Sequence, residues 1–194
     1  MDTPDRSHGY ERHAGAFMAS RGARAVGLVT VKAWARLLPP GGAILDLGCG
    51  DGVPLSVALA ELGFSVHGVD ASPTLAAAFA RNLPDAPVAC EAVQDSPLFS
   101  RSFDAALAWG LVFLLPAGEQ AALIEKAGQA LKPGGRLLFT APRETCNWTD
   151  ILTGERSVSI GAPAYVESLD RAGLTLLREY VDEGGNHYFD ARRR

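Results

Sequence analysis

The segment ILDLGCGDG, residues 44–52, constrains this chain more than any other. A short apolar run of strand length passes directly into Gly48, Gly50 and Gly52, and helix-like sequence follows, with Pro54 acceptable in a first turn. Glycines at such a corner allow a tight turn and let a ligand approach the backbone closely. The next apolar run closes on Asp70. A carboxylate there can accept both hydroxyls of a ribose, each charge-assisted bond contributing about 1.5–3 kcal/mol.

The rest of the chain repeats that rhythm. Strands are expected over residues 43–47, 65–70, 87–91, 103–109, 136–141, 174–180 and 186–191, and helices over 53–62, 73–83, 117–131 and 164–172. The first five strands are separated by long connections, which predicts right-handed crossovers and a parallel sheet covered on both faces. Only Asp182-Glu183-Gly184-Gly185 separates the last two, too little for a crossover, so they form an antiparallel hairpin. Ahead of the first strand, residues 10–38 carry helical periodicity, broken near Gly22 and Gly27 and ended by Pro39-Pro40. Residues 1–9 read as a disordered lead and Arg192-Arg193-Arg194 as a frayed, solvated tail.

With 194 residues and 47% hydrophobic content, the chain suits one globular domain over residues 1–194. A net charge of -4 argues against a nucleic-acid partner, since phosphate binding needs a basic face. The three cysteines lack the spacing of a metal site or a disulfide framework, so no metal is expected. No apolar run reaches a membrane span, and the polar N-terminus is unlike a signal peptide, so a cytoplasmic location with no membrane partner is expected.

Charge separates the two nucleotide cofactors that suit a glycine loop with an acidic partner. A dinucleotide sets a pyrophosphate on the helix N-terminus, prefers G-x-G-x-x-G and avoids nearby anions. Here Gly52 comes one position early, Val53 stands where the third glycine would be, and Asp46 and Asp51 flank the loop. S-adenosylmethionine carries a sulfonium and an ammonium but no phosphate, so those carboxylates favour it.

In order and spacing, ILDLGCGDG, VHGVDASP (66–73), FDAALAWG (103–110) and LKPGGRLLFTAP (131–142) resemble the motifs of class I, Rossmann-like S-adenosylmethionine-dependent methyltransferases of the small single-domain type. The resemblance covers residues 10–192. It implies a doubly wound three-layer α/β sandwich with a seven-stranded, mostly parallel sheet of order 3-2-1-4-5-7-6, a C-terminal antiparallel hairpin and an N-terminal helical cap. It also implies that Asp46, Gly48, Cys49 and Gly50 hold the methionine end of the cofactor and Asp70 its ribose. Ala71, Glu91, Ala92 and Val93 would border the adenine. Trp109 and Gly110 would meet the methionine moiety, and Tyr10, in YERHAGAF (10–17), would close over it.

Methyl transfer is an in-line displacement at an already activated carbon, and alignment alone supplies on the order of 7–11 kcal/mol. A conspicuous base is not required. His187, opening the last strand, and His13, on the cap, are the catalytic candidates; ordinary packing and a solvated helix position are their plain alternatives. Phe113, Arg143 and Trp148 fall where ligand-side loops gather and are candidates for holding a small-molecule acceptor. The expected activity is transfer of a methyl group to O, N or S of a small molecule by a monomer or weak homodimer. An NAD-dependent oxidoreductase and a non-catalytic S-adenosylmethionine-binding protein stay open as alternatives.

Overall fold

A computed structural model of the chain describes residues 5–22 and 25–194. Strand β1 (Ala43–Leu47) is buried along its whole length and lies at the centre of the sheet. It pairs in parallel with β2 (Ser65–Asp70) on one side and β4 (Phe103–Ala108) on the other. Beyond them lie β3 (Val88–Cys90) and β5 (Leu131–Thr140), also parallel to their neighbours. The sheet is completed by β8 (Leu174–Val181) and β9 (His187–Arg193), antiparallel to each other, with β9 antiparallel to β5. The order β3-β2-β1-β4-β5-β9-β8 is the expected one, the closing hairpin included.

Strand side chains alternate between two apolar layers, as a sheet covered on both faces requires. On one face, Leu45, Leu47 and Phe139 pack with α5 (Ala117–Ala130) and α6 (Ala162–Arg171). On the other, Ile44 and Leu107 meet α2 (Leu28–Ala35), α3 (Leu55–Glu61) and α4 (Pro73–Asn82) through Trp34, Leu59 and Phe79. Helices α2, α3 and α4 thus lie on one side of the sheet and α5 and α6 on the other, and a cleft opens at the carboxyl ends of its strands.

Three local expectations are corrected. Residues 143–161, read as loop, contain a second sheet of β6 (Thr145–Thr149) and β7 (Arg156–Ile160), antiparallel, with Trp148 opposite Ser157. Its turn is held by Asp150, whose Oδ1 accepts from the amides of Leu152 and Thr153 at 2.9 and 2.8 Å. The terminal arginines are not a frayed tail. Arg192 and Arg193 pair within β9, Arg193 donates to the Gln129 carbonyl at the end of α5 (3.1 Å), and Arg194 donates to the Asp170 carbonyl near the end of α6 (2.8 Å). Of the lead expected to be disordered, residues 1–4 lie outside the described residues. Residues 5–9 form a packed turn, in which the Ser7 amide donates to Asp5 (2.8 Å) and the Ser7 hydroxyl accepts from the Glu11 amide (2.9 Å). Residues 10–38 resolve into α1 (Ala14–Gly22) and α2, with the expected break between them.

Candidate active site

The glycine corner is built around the end of β2. The amides of Gly48 and Cys49 donate to the Val69 carbonyl at 2.8 and 3.1 Å, folding the chain back over its neighbour. Gly50, at φ 56°, then aims its own amide at Asp70 Oδ2 (2.8 Å). The other carboxylate oxygen accepts from the Ser72 amide, also at 2.8 Å. Both oxygens of Asp70 are thus fixed in direction, and each keeps a lone pair for a further donor. Burial pushes this carboxyl above its ordinary range, so donors that favour the ionised form are welcome there.

Asp46 lies deeper. Its Oδ2 accepts from the Ser56 hydroxyl at 2.5 Å, and burial raises its carboxyl to about 7. Asp51, which flanks the loop, accepts from the Val53 amide (3.2 Å) and supports the turn before α3. Cys49 is buried among these carboxylates, and burial drives its thiol well above the usual range.

The cap supplies the facing wall. Glu11 accepts from the Ser72 hydroxyl, from the Thr74 amide (3.0 Å) and from the Thr74 hydroxyl (2.7 Å), docking the cap on the first turn of α4. Phe17 covers the loop so closely that a Cβ at Gly50 would meet it at 3.0 Å. From the end of α1, Arg21 lays its guanidinium 4.1 Å from the centroid of the Trp109 ring. Its Nε is buried without a hydrogen-bond partner among the described residues. Trp109 is itself held from behind: its Nε1–H donates to the Tyr188 hydroxyl (2.7 Å), which donates to Asp182 Oδ2 (2.8 Å). Gly27 makes that contact possible, because a Cβ there would stand 2.7 Å from both Trp109 Nε1 and the Tyr188 hydroxyl.

These groups enclose one cavity of about 970 Å³. Tyr10, Asp46, Gly48, Cys49, Gly50 and Asp70 line it, as do Ala71, Ala92, Val93, Trp109 and Gly110. At Gly110 a Cβ would meet nothing within 4 Å, so the end of β4 opens into free space. The cavity continues past that opening to Phe113 and Trp148, whose ring centroids are 5.2 Å apart, and to Arg143 and His187. His187 Nε2 lies 2.8 Å from Glu179 Oε2, and Arg143 Nε lies 3.4 Å from the same oxygen.

Two expected site residues are not in the wall. The Glu91 side chain accepts from the Ser96 hydroxyl (2.8 Å), holding its own loop, while Ala92, Val93 and Gln94 face the cavity. His13 only continues the helical turn leading into α1: its amide donates to the Tyr10 carbonyl and its carbonyl accepts from Phe17. Tyr10 donates to Asp150 Oδ2 (3.3 Å), linking the cap to the β6–β7 turn; burial and that carboxylate hold its phenol protonated. Arg21 and Glu11 were not anticipated. Glu11 lies within the cap motif itself, but no local pattern announces the stacking of Arg21 on a residue so distant in sequence.

The donor set fits S-adenosylmethionine. A buried carboxylate at Asp46 suits the cationic methionine end, the orphaned Arg21 Nε suits its carboxylate, and the spare lone pairs of Asp70 suit a ribose. A pyrophosphate would meet Asp46 instead.

Comparison with known proteins agrees with that chemistry. The methyltransferase-domain family matches residues 44–135. The ribosomal protein L11 methyltransferase of Thermus thermophilus is 40% identical over 117 residues, 58% of this chain and 43% of that protein. An uncharacterized methyltransferase of Synechocystis sp. is 27% identical over 158 residues, 77% of this chain and 74% of that one. Among solved structures, an amino pentose methyltransferase from Micromonospora echinaspora with S-adenosylmethionine bound superposes with a TM-score of 0.72 at 17% identity, covering 92% of this chain and 96% of that one. The match over residues 44–135 is to a methyltransferase domain, and the fold is that of solved S-adenosylmethionine-dependent methyltransferases. The chain spans 43% of the length of the Thermus relative.

Proposed function

We propose that this chain is a methyltransferase that moves a methyl group from S-adenosylmethionine to an O, N or S atom of a small molecule. The observation that carries this is the continuity of one cavity, from Asp70 past Asp46 and Arg21 to Trp148 and His187, with open space at Gly110 between its two ends. Bound at the glycine loop, the cofactor supplies a methyl carbon activated by its sulfonium. Asp70 orients the ribose. Ala71, Ala92 and Val93 give the adenine an apolar slot. Asp46 offsets positive charge at the methionine end, and Arg21 pairs with the carboxylate there. Phe113 and Trp148 hold an acceptor against the open side of Gly110, with His187 in reach as a base. Excluding water and fixing the line of approach is the main catalytic contribution of such a site.

The same proposal takes the chain as a single cytoplasmic domain, monomeric or weakly dimeric, needing no metal and using no nucleic acid. Its acidic net charge of -4 supports the last point. Among the described residues, no helix is long and apolar enough to cross a membrane. Calorimetry with S-adenosylhomocysteine is the decisive test. Asp70→Ala should weaken binding by more than about a hundredfold while the fold is retained, as expected for the loss of two charge-assisted bonds. Unchanged affinity would remove the assignment, and tighter binding of NADH than of S-adenosylhomocysteine would replace it with an oxidoreductase.

A further inference from the structure

With the Glu91 side chain turned onto Ser96, the apolar slot of Ala71, Ala92 and Val93 is left without the polar partner expected for an adenine. Adenine carries a hydrogen-bonding edge on which the 6-amino group donates and the neighbouring ring nitrogen N1 accepts. A slot that grips only the faces of the ring does not read that edge. Gln94, on the same loop and also facing the cavity, offers the complementary pair.

Its side-chain Nε2 donates to Glu119 Oε2 at 2.8 Å. An ionised carboxylate only accepts hydrogen bonds, so this contact decides which way round the Gln94 amide stands. Oε1 is left as an acceptor with no protein partner among the described residues. The backbone of Gln94 is set from α5. Lys126 Nζ donates to the Val93 carbonyl at 2.9 Å and to the Gln94 carbonyl at 2.7 Å. In a planar trans peptide the C=O and the following N–H point in opposite directions. Holding the Val93 carbonyl on Lys126 therefore turns the Gln94 N–H away from α5. The amides of Glu91, Asp95 and Ser96 are taken up by the Asp70 and Ala92 carbonyls, whereas that of Gln94 has no partner among the described residues. Glu119 and Lys126 stand seven residues apart, two turns along α5, so one face of the helix holds both the side chain and the backbone of Gln94.

We infer, on the methyltransferase reading above, that Gln94 reads the polar edge of the cofactor's adenine, its backbone N–H donating to N1 and its Oε1 accepting from the 6-amino group. Lys126 and Glu119 are the positioning residues that aim this donor and this acceptor. The site then selects a 6-aminopurine. A 6-oxopurine presents N1–H and a carbonyl oxygen, which sets donor against donor and acceptor against acceptor at the same two points.

The probes are S-adenosylhomocysteine and S-inosylhomocysteine, which differ only on that edge, each titrated by calorimetry. Wild type should bind the adenosyl compound at least about a hundredfold more tightly. Gln94→Leu, which removes a half-buried side chain and leaves the backbone donor, should cut the preference about tenfold. Lys126→Met should cut it by a similar factor, and Lys126→Arg, which keeps a long stem and several donors, should recover most of it. Glu119→Gln no longer dictates how the Gln94 amide stands and should lose part of it. A variant whose loop is merely loosened weakens both compounds alike and leaves their ratio unchanged, so the ratio reports aim rather than stability. In nitrogen-15 spectra of the wild type, the Gln94 backbone amide should shift on adding S-adenosylhomocysteine, and its exchange with solvent should slow. Equal binding of the two compounds by wild type, an unchanged ratio in Gln94→Leu or in Lys126→Met, or a Gln94 amide unaffected by the ligand would each overturn the inference and leave the cofactor site standing. Should Lys126→Met not fold, Gln94→Leu and the amide spectrum decide the matter. Failure of wild type to bind S-adenosylhomocysteine would instead remove the methyltransferase reading itself.

Discussion

Arg21 stacks on Trp109 with 4.1 Å between its guanidinium carbon and the ring centroid, so the cap reaches the end of β4 through one side chain. Burial lowers the tendency of this arginine to hold its proton, and the carboxylates of Asp51 and Asp46 counter that, so it remains a cation in search of an anionic partner. Arg21→Met should keep part of the packing and lose the charge. The expected result is a tenfold to hundredfold fall in S-adenosylhomocysteine affinity, about 1.5–3 kcal/mol for one charge-assisted contact. Isothermal calorimetry measures it, and Arg21→Lys should recover only part of the loss because an ammonium neither stacks nor forks.

Asp46 makes both binding and stability depend on pH. Burial raises its carboxyl to about 7 from 3.8, so the folded, unliganded protein holds this proton more tightly than the unfolded chain does. Its stabilising contribution is therefore fully present below the unfolded value and is lost as pH rises through about 7, by up to ~1.4 kcal/mol per pH unit in between. Urea midpoints of the unliganded protein should show this slope against Asp46→Asn, in which it disappears. A bound cation favours the carboxylate, so S-adenosylmethionine affinity should rise with pH over the same window and binding should release a proton. Calorimetry in buffers of differing ionisation enthalpy counts that proton.

Gly27 combines a φ of 81° with contact against two side chains. Gly27→Ala would place a Cβ 2.7 Å from Trp109 Nε1 and from the Tyr188 hydroxyl, while also forcing alanine into the left-handed region. A loss of about 1–3 kcal/mol in unfolding free energy is expected, with a shifted tryptophan emission as the Trp109–Tyr188 bond is broken.

Gln120 is fully buried and acts as a three-way tie. Its Nε2 donates to the carbonyls of Leu115 (2.9 Å) and Val158 (2.8 Å), and its Oε1 accepts from the Tyr165 hydroxyl (2.6 Å). Gln120→Leu removes the donor to the Leu115 and Val158 carbonyls and the acceptor for the Tyr165 hydroxyl, at about 1–3 kcal/mol for each group left fully unsatisfied. The strand it releases is β7, partner of the strand that carries Trp148. Hydrogen exchange should accelerate across β6 and β7, KM for the acceptor should rise, and S-adenosylhomocysteine affinity should hold.

The sequence reveals what its local patterns encode. Apolar runs ending in glycine or aspartate delimit β1 and β2 at their observed bounds, and the short Asp182–Gly185 spacer forces the antiparallel pair. The β6–β7 hairpin escapes because each strand is only five residues long, so the alternation in Thr145-Cys146-Asn147-Trp148-Thr149 is too short to tell a strand from a loop. Arg21 and Gln120 escape for a different reason: their partners are distant in sequence and no motif names them. Glu91 shows the opposite error, in which a motif position is right for the backbone but the side chain turns away to Ser96. The terminal arginines resemble a tail in composition, yet they complete a strand and meet the carbonyls of α5 and α6.

The Trp109–Tyr188–Asp182 chain has a consequence for how the protein is made. A ribosome delivers the glycine loop and Asp70 before Asp182 and Tyr188, the residues that brace Trp109. Strand β9 must then slide between β5 and β8 before that bracing exists. A nascent chain thus carries the Asp70 carboxylate well before Trp109 has its brace.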